Sequence, residues 1–475
     1  MLWALSRQRA VKWAGFFLGL LTGIVYFTGT LYWITGVMVV YGGITSWVGV
    51  LINAALILYL SVFPALFAVV VRRIVQRGGR WVLMWSPFAW VASEVGRTYI
   101  FTGFPWVLLG YSQTTVLPVA QLASVAGVYG LSLLVAAMSA AAVIAMDRTV
   151  TRRAIPVAVV FGLIIIVAVW GSRRVAQGAL TREGEAVKVG LLQGNVDQAI
   201  KWDPAQAASI FDEYLRATRQ AIFQGANLVI WPESSTPFRF DEDPAGAAQL
   251  RTLAKQANVP ILFGSDRLEW RQAGNTRVID RMYNAAYLLR ADGTTGGTYR
   301  KMHLVPFGEY VPFQKLLFFA APLTEEVGTF SPGLTPDLLP VNGHPVSVAI
   351  CYEVVYPALV RQFVVAGSEL LTTITNDAWF GPTSAPYQHF EQASMRAIEE
   401  GRYLVRAANT GISGVVDPYG RVLARSGIYE PAVVVAEARF LRHRTVYARY
   451  GDVVAYLSVA VSFALLVVPS RRVQY

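Results

Sequence analysis

The chain has 475 residues, of which 54% are hydrophobic and 15% are charged, whereas about a quarter of the residues in an ordinary soluble protein are charged. The net charge of +11 is concentrated beside apolar runs, a pattern typical of the positive-inside rule that argues against a nucleic-acid partner. The single cysteine excludes an intramolecular disulfide, and the four histidines lack metal-ligand spacing, so we expect neither a metal nor a cofactor. The basic clusters are Arg7/Arg9/Lys12, Arg72/Arg73/Arg77/Arg80, Arg148/Arg152/Arg153 and Arg471/Arg472.

Several stretches without any charged residue predict membrane crossings. Trp13–Val71 is too long for one crossing and fits two helices with a tight reversal near Gly42-Gly43. Ala154–Ser172 and Val453–Ser470 are close to the ~18–20 residues that one crossing needs. A cleaved signal peptide is the alternative for the N-terminus, but the apolar run continues well beyond a short hydrophobic region.

Counting Trp81–Gly96 and Leu117–Met146 as one crossing each, the pattern predicts six crossings with both ends in the cytoplasm. Glu94 and Arg97 are either interfacial or functional, and the interfacial interpretation is favoured. The uncharged, aromatic-rich loop 102–113 suits the lipid headgroup level. We therefore expect membrane helices in 1–174, a globular domain in 185–445 and a C-terminal membrane helix in 453–470.

Short apolar strands alternate with helical stretches in the globular part, which predicts an α/β layered domain. Strands are predicted at Val187–Gln193, Asn227–Trp231, Val259–Phe263, Ala285–Arg290, Thr298–Arg300, Val346–Ile350, Leu370–Thr375, Tyr403–Ala407, Gly414–Val416 and Val422–Ala424. Helices are predicted at Ala205–Gln224, Gln249–Gln256 and His389–Arg402.

The only cysteine, Cys351, directly follows the strand Val346–Ile350 and so reaches the strand end where catalytic groups of α/β sheets lie. The alternative is a small buried hydrophobic residue. Glu233 follows the strand that ends at Trp231, with Pro232 ending the ladder, so it emerges at the same edge. A carboxylate in an apolar pocket suits the base that a thiol needs, although many glutamates simply lie in surface loops.

Polar side chains are dense between Tyr299 and Pro312, inside an apolar frame. Lys301 could stabilise a thiolate and then the oxyanion of a tetrahedral intermediate, and a solvated surface lysine is the alternative. Arg300 and His303 compete for the same role. Glu309 could orient Lys301 or share the proton of Glu233.

The three strand-end groups, in the order Glu233, Lys301 and Cys351, resemble the carbon–nitrogen hydrolase (nitrilase) superfamily. Further motifs accompany the flanking membrane segments: Thr102–Trp106, Gly194-Asn195 with Lys201-Trp202, Trp231–Ser234, His303–Pro312, Ile350–Glu353 and Asn376–Gly381. In these motifs the chain resembles, more narrowly, the apolipoprotein N-acyltransferase family. Members of that family generally carry further membrane segments at the N-terminal end, where this sequence departs from the pattern.

The resemblance implies a multi-pass α-helical membrane domain plus a nitrilase-like α-β-β-α sandwich on the outer, periplasmic face of a bacterial inner membrane. It implies that Cys351 takes an acyl chain from a phospholipid as a thioester and passes it to the amine of a diacylglyceryl-cysteine on an apolipoprotein. The catalytic residues would be Glu233, Lys301 and Cys351. The resemblance further implies supporting roles for Glu309, Tyr352 and Glu353, and substrate contacts for Trp202, Trp379 and Asn376, with plain core packing as the alternative for Trp379.

A membrane-bound amidase or nitrilase-type hydrolase, with water as the acyl acceptor, is the main alternative function. The triad does not distinguish the two, but the membrane segments and the aromatic-rich loop favour a lipid donor. A non-enzymatic receptor would need a damaged triad, and all three members are present. The sequence contains neither a Gly-x-Ser-x-Gly elbow nor a Gly-Lys-Ser/Thr phosphate loop.

Overall fold

A computed structural model of the protein describes residues 1–7, 13–198, 200–312 and 329–467. The chain divides into two compact units, a membrane unit of Met1–Gln177 with Thr445–Tyr475 and an α/β unit of Gly178–Arg444. The basic residues Arg9, Lys12, Arg471 and Arg472, and the last residues of the predicted 453–470 span, lie outside the described residues.

The described helices and strands are numbered in chain order. The helices are α1 Leu2–Arg7, α2 Ala14–Leu31, α3 Trp33–Val40, α4 Ser46–Gly78, α5 Ser86–Tyr99, α6 Leu117–Ala120, α7 Ala123–Met146, α8 Ala154–Gln177, α9 Pro204–Phe223, α10 Pro244–Ala257, α11 Pro357–Val365, α12 Ala385–Glu400, α13 Val446–Tyr450 and α14 Val453–Val467. The strands are β1 Ala186–Gln193, β2 Leu228–Ile230, β3 Ile261–Ala273, β4 Thr276–Leu289, β5 Thr295–Arg300, β6 Leu339–Val341, β7 His344–Ile350, β8 Leu370–Thr375, β9 Leu404–Ala408, β10 Gly414–Val416, β11 Val422–Arg425 and β12 Ala432–Arg439.

Four helices among the described residues, α2, α4, α7 and α8, are long and apolar enough to cross a membrane, and α14 is a shorter apolar helix. Helices α2 and α4 pack backbone to backbone through small residues, as membrane helices commonly do. A Cβ on Gly19 of α2 would lie 2.4 Å from the carbonyl oxygen of Pro64 and 2.7 Å from the Cα of Ala65. Phe17, Leu21 and Val25, four residues apart on α2, remain exposed, which gives this helix an apolar outer face suited to lipid.

Glu94 and Arg97 of α5 are both buried within the membrane unit. Arg97 donates to the carbonyl oxygen of Trp106 at 2.6 Å, and Glu94 accepts from the backbone N–H of Leu109 at 2.7 Å and from the indole of Trp90 at 3.1 Å. The sequence favoured an interfacial pair. The structure instead uses the two charges to hold the aromatic-rich loop that follows α5 by its backbone.

The α/β unit contains two six-stranded sheets, with strand orders β12-β1-β2-β3-β4-β5 and β11-β10-β9-β8-β7-β6. Each sheet has a parallel centre, β1–β3 in one and β7–β9 in the other, and antiparallel edges. The sheets contact each other through β1 and β9, β4 and β7, and β5 and β6. Helices α9 and α10 cover the first sheet and α11 and α12 the second, which confirms the predicted α-β-β-α sandwich.

The structure extends several predicted elements and adds others. Strands β3 and β4 form a long hairpin. Its outer half is solvent-exposed and contains many charged residues, so hydrophobic periodicity detects only the buried ends of the two strands. The sequence also missed β6, β12 and α11. The predicted helix His389–Arg402 begins earlier, at Ala385, and ends at Glu400, because Pro386 suits a first helical turn.

Candidate active site

Cys351 lies where the buried strand β7 ends and a short 3-10 helix, Cys351–Val355, begins. Its backbone has a φ of +52°, a left-handed conformation that is rare outside glycine and is often found at functional sites. Burial and the Glu233 carboxylate raise the pKa of the Cys351 thiol, although Lys301 acts in the opposite direction. The side chain is therefore a thiol at neutral pH, and a base must remove its proton before it can attack.

The turn that carries Glu233 is fixed from both sides. The indole of Trp231 is fully buried, donates to the hydroxyl of Thr218 at 2.9 Å and stacks on Tyr214. On the other side, a Cβ on Gly264 of β3 would lie 2.4 Å from the backbone nitrogen of Ser234, so only glycine allows this close approach. The turn therefore holds the Glu233 side chain in the buried space at the sheet edge.

Glu233, Asn284, Lys301 and Glu309 form one buried group, here called the base cluster. The Lys301 ammonium lies 2.9 Å from Glu309 and 3.4 Å from Glu233. The Asn284 amide donates to both carboxylates, at 2.7 Å to Glu233 and 2.9 Å to Glu309. Burial alone would lower the pKa of Lys301, but Glu309 and Glu233 raise it well above its ordinary value, so the ammonium stays charged.

The two carboxylates of the base cluster are held differently. The second oxygen of Glu309 accepts from the backbone N–H of Val305 at 2.7 Å, while its first is at close range to Lys301. The second oxygen of Glu233 accepts from the backbone N–H of Asn376 at 2.9 Å, and its contact with Lys301 is the longer one. Glu309 is thus the closer ionic partner of Lys301, and Glu233 is the more distant one.

Glu353 joins the segment that bears Lys301 to the strand that bears Cys351. One of its oxygens accepts from the backbone N–H groups of Met302 at 2.6 Å and His303 at 3.1 Å and from the hydroxyl of Tyr299 at 2.7 Å. The other accepts from the backbone N–H of Ile350 at 2.7 Å. Burial raises the pKa of Glu353 to about 7, against the effect of these donors. The Glu353 carboxylate thus bridges the segment that bears Lys301 and the strand that bears Cys351, and its supporting role stays a prediction.

Neither competitor of Lys301 occupies its position. Arg300 pairs with Glu269 at 2.8 Å in a half-exposed setting. The ring of His303 packs against those of Tyr356 and Tyr352, with centroid distances of 3.9 and 5.9 Å. Burial and the nearby Lys301 lower the pKa of His303 to about 4, so it is neutral at physiological pH. Tyr352 therefore belongs to an aromatic group beside the nucleophile.

The three residues expected to contact substrate lie in different settings. Trp202 is exposed, with the Lys201 ammonium 5.7 Å from its ring centre, and Trp379 is partly buried in a 3-10 helix after β8. The Asn376 side chain donates to Gln198 at 2.7 Å and accepts from Asn409 at 3.0 Å. Its amide is therefore engaged within the protein, and its substrate contact, like those of the two tryptophans, stays a prediction.

One polar residue of the site, Asn284, was not predicted from the sequence, and another, Lys201, was named only as part of the Lys201-Trp202 motif. Asn284 immediately precedes an apolar run on β4, and a polar residue at such a buried position is the signal that could have found it. Lys201 is buried, and its ammonium donates to the carbonyl oxygen of Glu233 at 3.4 Å. No group of three or more His, Cys, Asp or Glu side chains within the described ranges could hold a metal ion.

Two family models match the chain. Carbon-nitrogen hydrolase matches residues 188–444, and the apolipoprotein N-acyltransferase N-terminal domain matches residues 1–141. An apolipoprotein N-acyltransferase of Geobacter metallireducens is 38% identical over 463 residues, which cover 96% of this chain and 87% of that protein. The chain belongs to the apolipoprotein N-acyltransferase family.

A second relative and one solved structure are also similar to the chain. The family's representative in Bradyrhizobium diazoefficiens is 34% identical over 495 residues, covering 100% of this chain and 89% of that protein. Among solved structures, an amidase from Nesterenkonia sp. is similar over 55% of this chain and 93% of its own, at 24% identity and a TM-score of 0.40. Family membership and the base cluster together define the chemistry considered next.

Proposed function

We propose that the protein is a lipoprotein N-acyltransferase in which Cys351 carries the acyl chain from a phospholipid to the amine of a diacylglyceryl-cysteine. The observation that supports this mechanism is the buried contact of 3.4 Å between Lys301 and Glu233, two groups that act in opposite directions on the pKa of the buried Cys351 thiol. The carboxylate supplies a base and the ammonium supplies a permanent positive charge. Acyl transfer through a thioester needs both.

In the first half-reaction, the Cys351 sulfur attacks the ester carbonyl of the phospholipid while Glu233 takes the thiol proton. The oxyanion is stabilised by the Lys301 ammonium and by the backbone N–H of Tyr352, which follows the nucleophile. The carbon–oxygen bond of the ester then breaks, and Glu233 returns its proton to the departing lysophospholipid oxygen. The product is a thioester on Cys351.

In the second half-reaction, the neutral amine of the acceptor attacks the thioester carbonyl. Glu233 takes a proton from the amine nitrogen, and the same two donors stabilise the oxyanion. The carbon–sulfur bond breaks, and the proton passes from Glu233 to the sulfur. An amide is formed, and the enzyme returns to its starting state.

A lipid donor and a lipid-anchored acceptor give a physical reason for the membrane unit. Long acyl chains reach a membrane-anchored site by lateral diffusion within the bilayer. Transfer through water would instead cost roughly 25 cal/mol of free energy for each Å² of apolar surface exposed. We assign the chemistry to the α/β unit, Gly178–Arg444, and propose that it lies on the periplasmic face of a bacterial inner membrane. The phospholipid, the diacylated apolipoprotein and the bilayer are its partners in this proposal.

The deciding experiment is intact-mass analysis of the full-length protein in detergent after incubation with phospholipid alone. An added acyl mass on Cys351 is expected, and its disappearance when a diacylglyceryl-peptide is supplied should coincide with formation of the triacylated peptide. Release of free fatty acid with no acylated peptide would instead support the water-using hydrolase. Absence of any adduct under conditions of turnover would contradict the thioester mechanism.

A further inference from the structure

Three buried polar side chains form a group that reaches the backbone of Cys351 through His389 and has no part in the mechanism above. Asp377 follows β8, His389 lies in α12 and Arg406 lies in β9. All three side chains are fully buried. This group is here called the rear cluster, because it contacts the main chain of the nucleophile.

The rear cluster is held together by charge-assisted hydrogen bonds. One nitrogen of Arg406 donates to Asp377 at 2.8 Å and to Nδ1 of His389 at 3.0 Å. The hydroxyl of Thr375 donates to the other oxygen of Asp377 at 2.9 Å, and that oxygen also lies 3.0 Å from Nδ1 of His389. Burial alone would raise the pKa of Asp377, but Arg406 and His389 lower it, so the carboxylate stays ionised.

The far side of the imidazole points at the nucleophile's main chain, with Nε2 of His389 3.2 Å from the carbonyl oxygen of Cys351. A carbonyl oxygen can only accept a hydrogen bond, so Nε2 carries a proton. Burial and the adjacent Arg406 lower the pKa of His389, while Asp377, which lies 3.0 Å from Nδ1, raises it, and the net shift is downward. The cluster thus fixes the orientation of the ring, with Nε2 toward the carbonyl oxygen of Cys351.

The contact between His389 and the Cys351 carbonyl also constrains the backbone N–H of the next residue, Tyr352. The peptide group between Cys351 and Tyr352 is planar, so the Cys351 carbonyl and the Tyr352 N–H point in opposite directions within one plane. A hydrogen bond that fixes the carbonyl therefore also fixes the direction of the N–H. The plane follows a residue with a φ of +52° and opens a 3-10 helix of five residues.

We propose that His389 is a positioning residue that aims the Tyr352 N–H at the developing oxyanion by holding the carbonyl oxygen of Cys351. This inference rests on the proposed function, in which that N–H is the second oxyanion donor beside Lys301. Because His389 faces the carbonyl, its contribution appears when a tetrahedral oxyanion forms and is absent when the sulfur reacts without one. That difference makes the role measurable.

The test compares two reactions of Cys351 in the full-length protein in detergent. Acylation by an acyl-labelled phospholipid passes through an oxyanion, whereas alkylation by iodoacetamide is a direct displacement at a saturated carbon. His389→Asn keeps an amide at the position of Nδ1, beside Arg406 and Asp377, and loses the donor to Cys351. His389→Gln places an amide N–H near the position of Nε2.

For His389→Asn we expect the acylation rate to fall by about 10–100-fold. This is less than the ~10²–10³-fold loss that follows when an oxyanion donor is removed outright, because the Tyr352 N–H is only misdirected. The alkylation rate should stay within about threefold of wild type. His389→Gln should recover acylation to within about fivefold of wild type, because the donor is restored. Thr372→Val is the matched control. It removes a buried hydroxyl on β8 that has no hydrogen-bond partner in the described part of the chain, and both rates should stay unchanged.

Three results would overturn the proposal. Equal losses of acylation and alkylation rate in His389→Asn would mean that the substitution acts on the thiol or on the fold. An unchanged acylation rate in His389→Asn would mean that the side chain has no role in acylation. An acylation rate in His389→Gln no higher than in His389→Asn would exclude a role for the hydrogen-bond donor. Should His389→Asn fold poorly, as judged by its unfolding midpoint, the acylation-to-alkylation ratio of His389→Gln against His389→Met supplies the same comparison. Failure of the proposed function is separate, since wild type itself would then form no thioester.

Discussion

The base cluster and the rear cluster both bury charge next to Cys351, yet they are balanced differently. In the base cluster, two carboxylates, Glu233 and Glu309, share the single ammonium of Lys301. In the rear cluster, the carboxylate of Asp377 is matched by the guanidinium of Arg406, and His389 is neutral. Burying charge is expensive in either place. An unbalanced carboxylate can accept a proton, whereas a balanced ion pair provides rigidity.

The largest expected effect on acyl transfer comes from removing the sulfur of Cys351, the residue next to both clusters. Cys351→Ala removes the nucleophile, and we expect transfer to fall on the order of 10⁴-fold or more, as for the loss of other catalytic nucleophiles. Acyl transfer to a diacylglyceryl-peptide and intact mass measure this loss. The variant should still enter the membrane and fold, and substantial remaining activity would show that neither cluster serves a thiol mechanism.

Glu233→Gln removes the proton acceptor of the base cluster and keeps a side chain of the same size. We expect the rate of acylation to fall by about 10²–10⁴-fold, the range for losing a general base. Loss of the Glu233 charge lowers the pKa of Cys351, but burial still raises it, so we expect loss of the proton acceptor to outweigh this effect and iodoacetamide alkylation to slow as well. His389→Asn should affect acylation alone, so an unchanged alkylation rate in Glu233→Gln would erase the functional distinction between the two clusters.

Asp377→Asn tests the rear cluster through stability. The change leaves the Arg406 guanidinium buried without its carboxylate, and breaking a buried ion pair costs about 3–5 kcal/mol of the free energy of unfolding. Urea unfolding followed by tryptophan fluorescence measures the loss. Arg442→Ala is the control, since Arg442 is 80% exposed in its pair with Glu369 and should contribute about 0–1 kcal/mol. Equal losses in the two variants would contradict a structural rear cluster.

The smallest effect concerns pH and Glu353, which links the segments bearing Lys301 and Cys351. Burial raises its pKa to about 7, so below that pH a growing share of the protein loses the carboxylate that accepts from Met302, His303 and Ile350. Acylation should therefore slow as pH falls through 7, approaching about tenfold per unit.

His389 has a lowered pKa and contributes no such dependence near neutrality. Glu353→Gln should be slower than wild type and insensitive to pH in this range. Initial acylation rates measured between pH 6 and 8 provide the comparison, and a flat wild-type profile would contradict the assignment to Glu353.

Much of the fold was predictable because burial leaves a repeating pattern in the chain. The apolar runs of α2, α4, α7 and α8 and the short strands on either side of Glu233 and Cys351 were recognisable from hydrophobicity alone. The outer half of the β3–β4 hairpin was not, since its exposed residues carry no such pattern. The burial of Glu94 and Arg97 was also beyond the sequence, because the backbone groups that satisfy them belong to a separate loop.

By itself, the sequence determined a chain divided between membrane helices and an α/β domain, with Glu233, Lys301 and Cys351 at the ends of strands. Local periodicity is sufficient for this, since residues that must be buried recur at the spacing of their helix or strand. Only the tertiary structure decided which groups meet. Asn284 and Asn376 reach Glu233 from 51 and 143 positions away, and His389 reaches Cys351 from 38. Sheet register and helix packing set these encounters, and neither is written in the spacing of neighbouring residues.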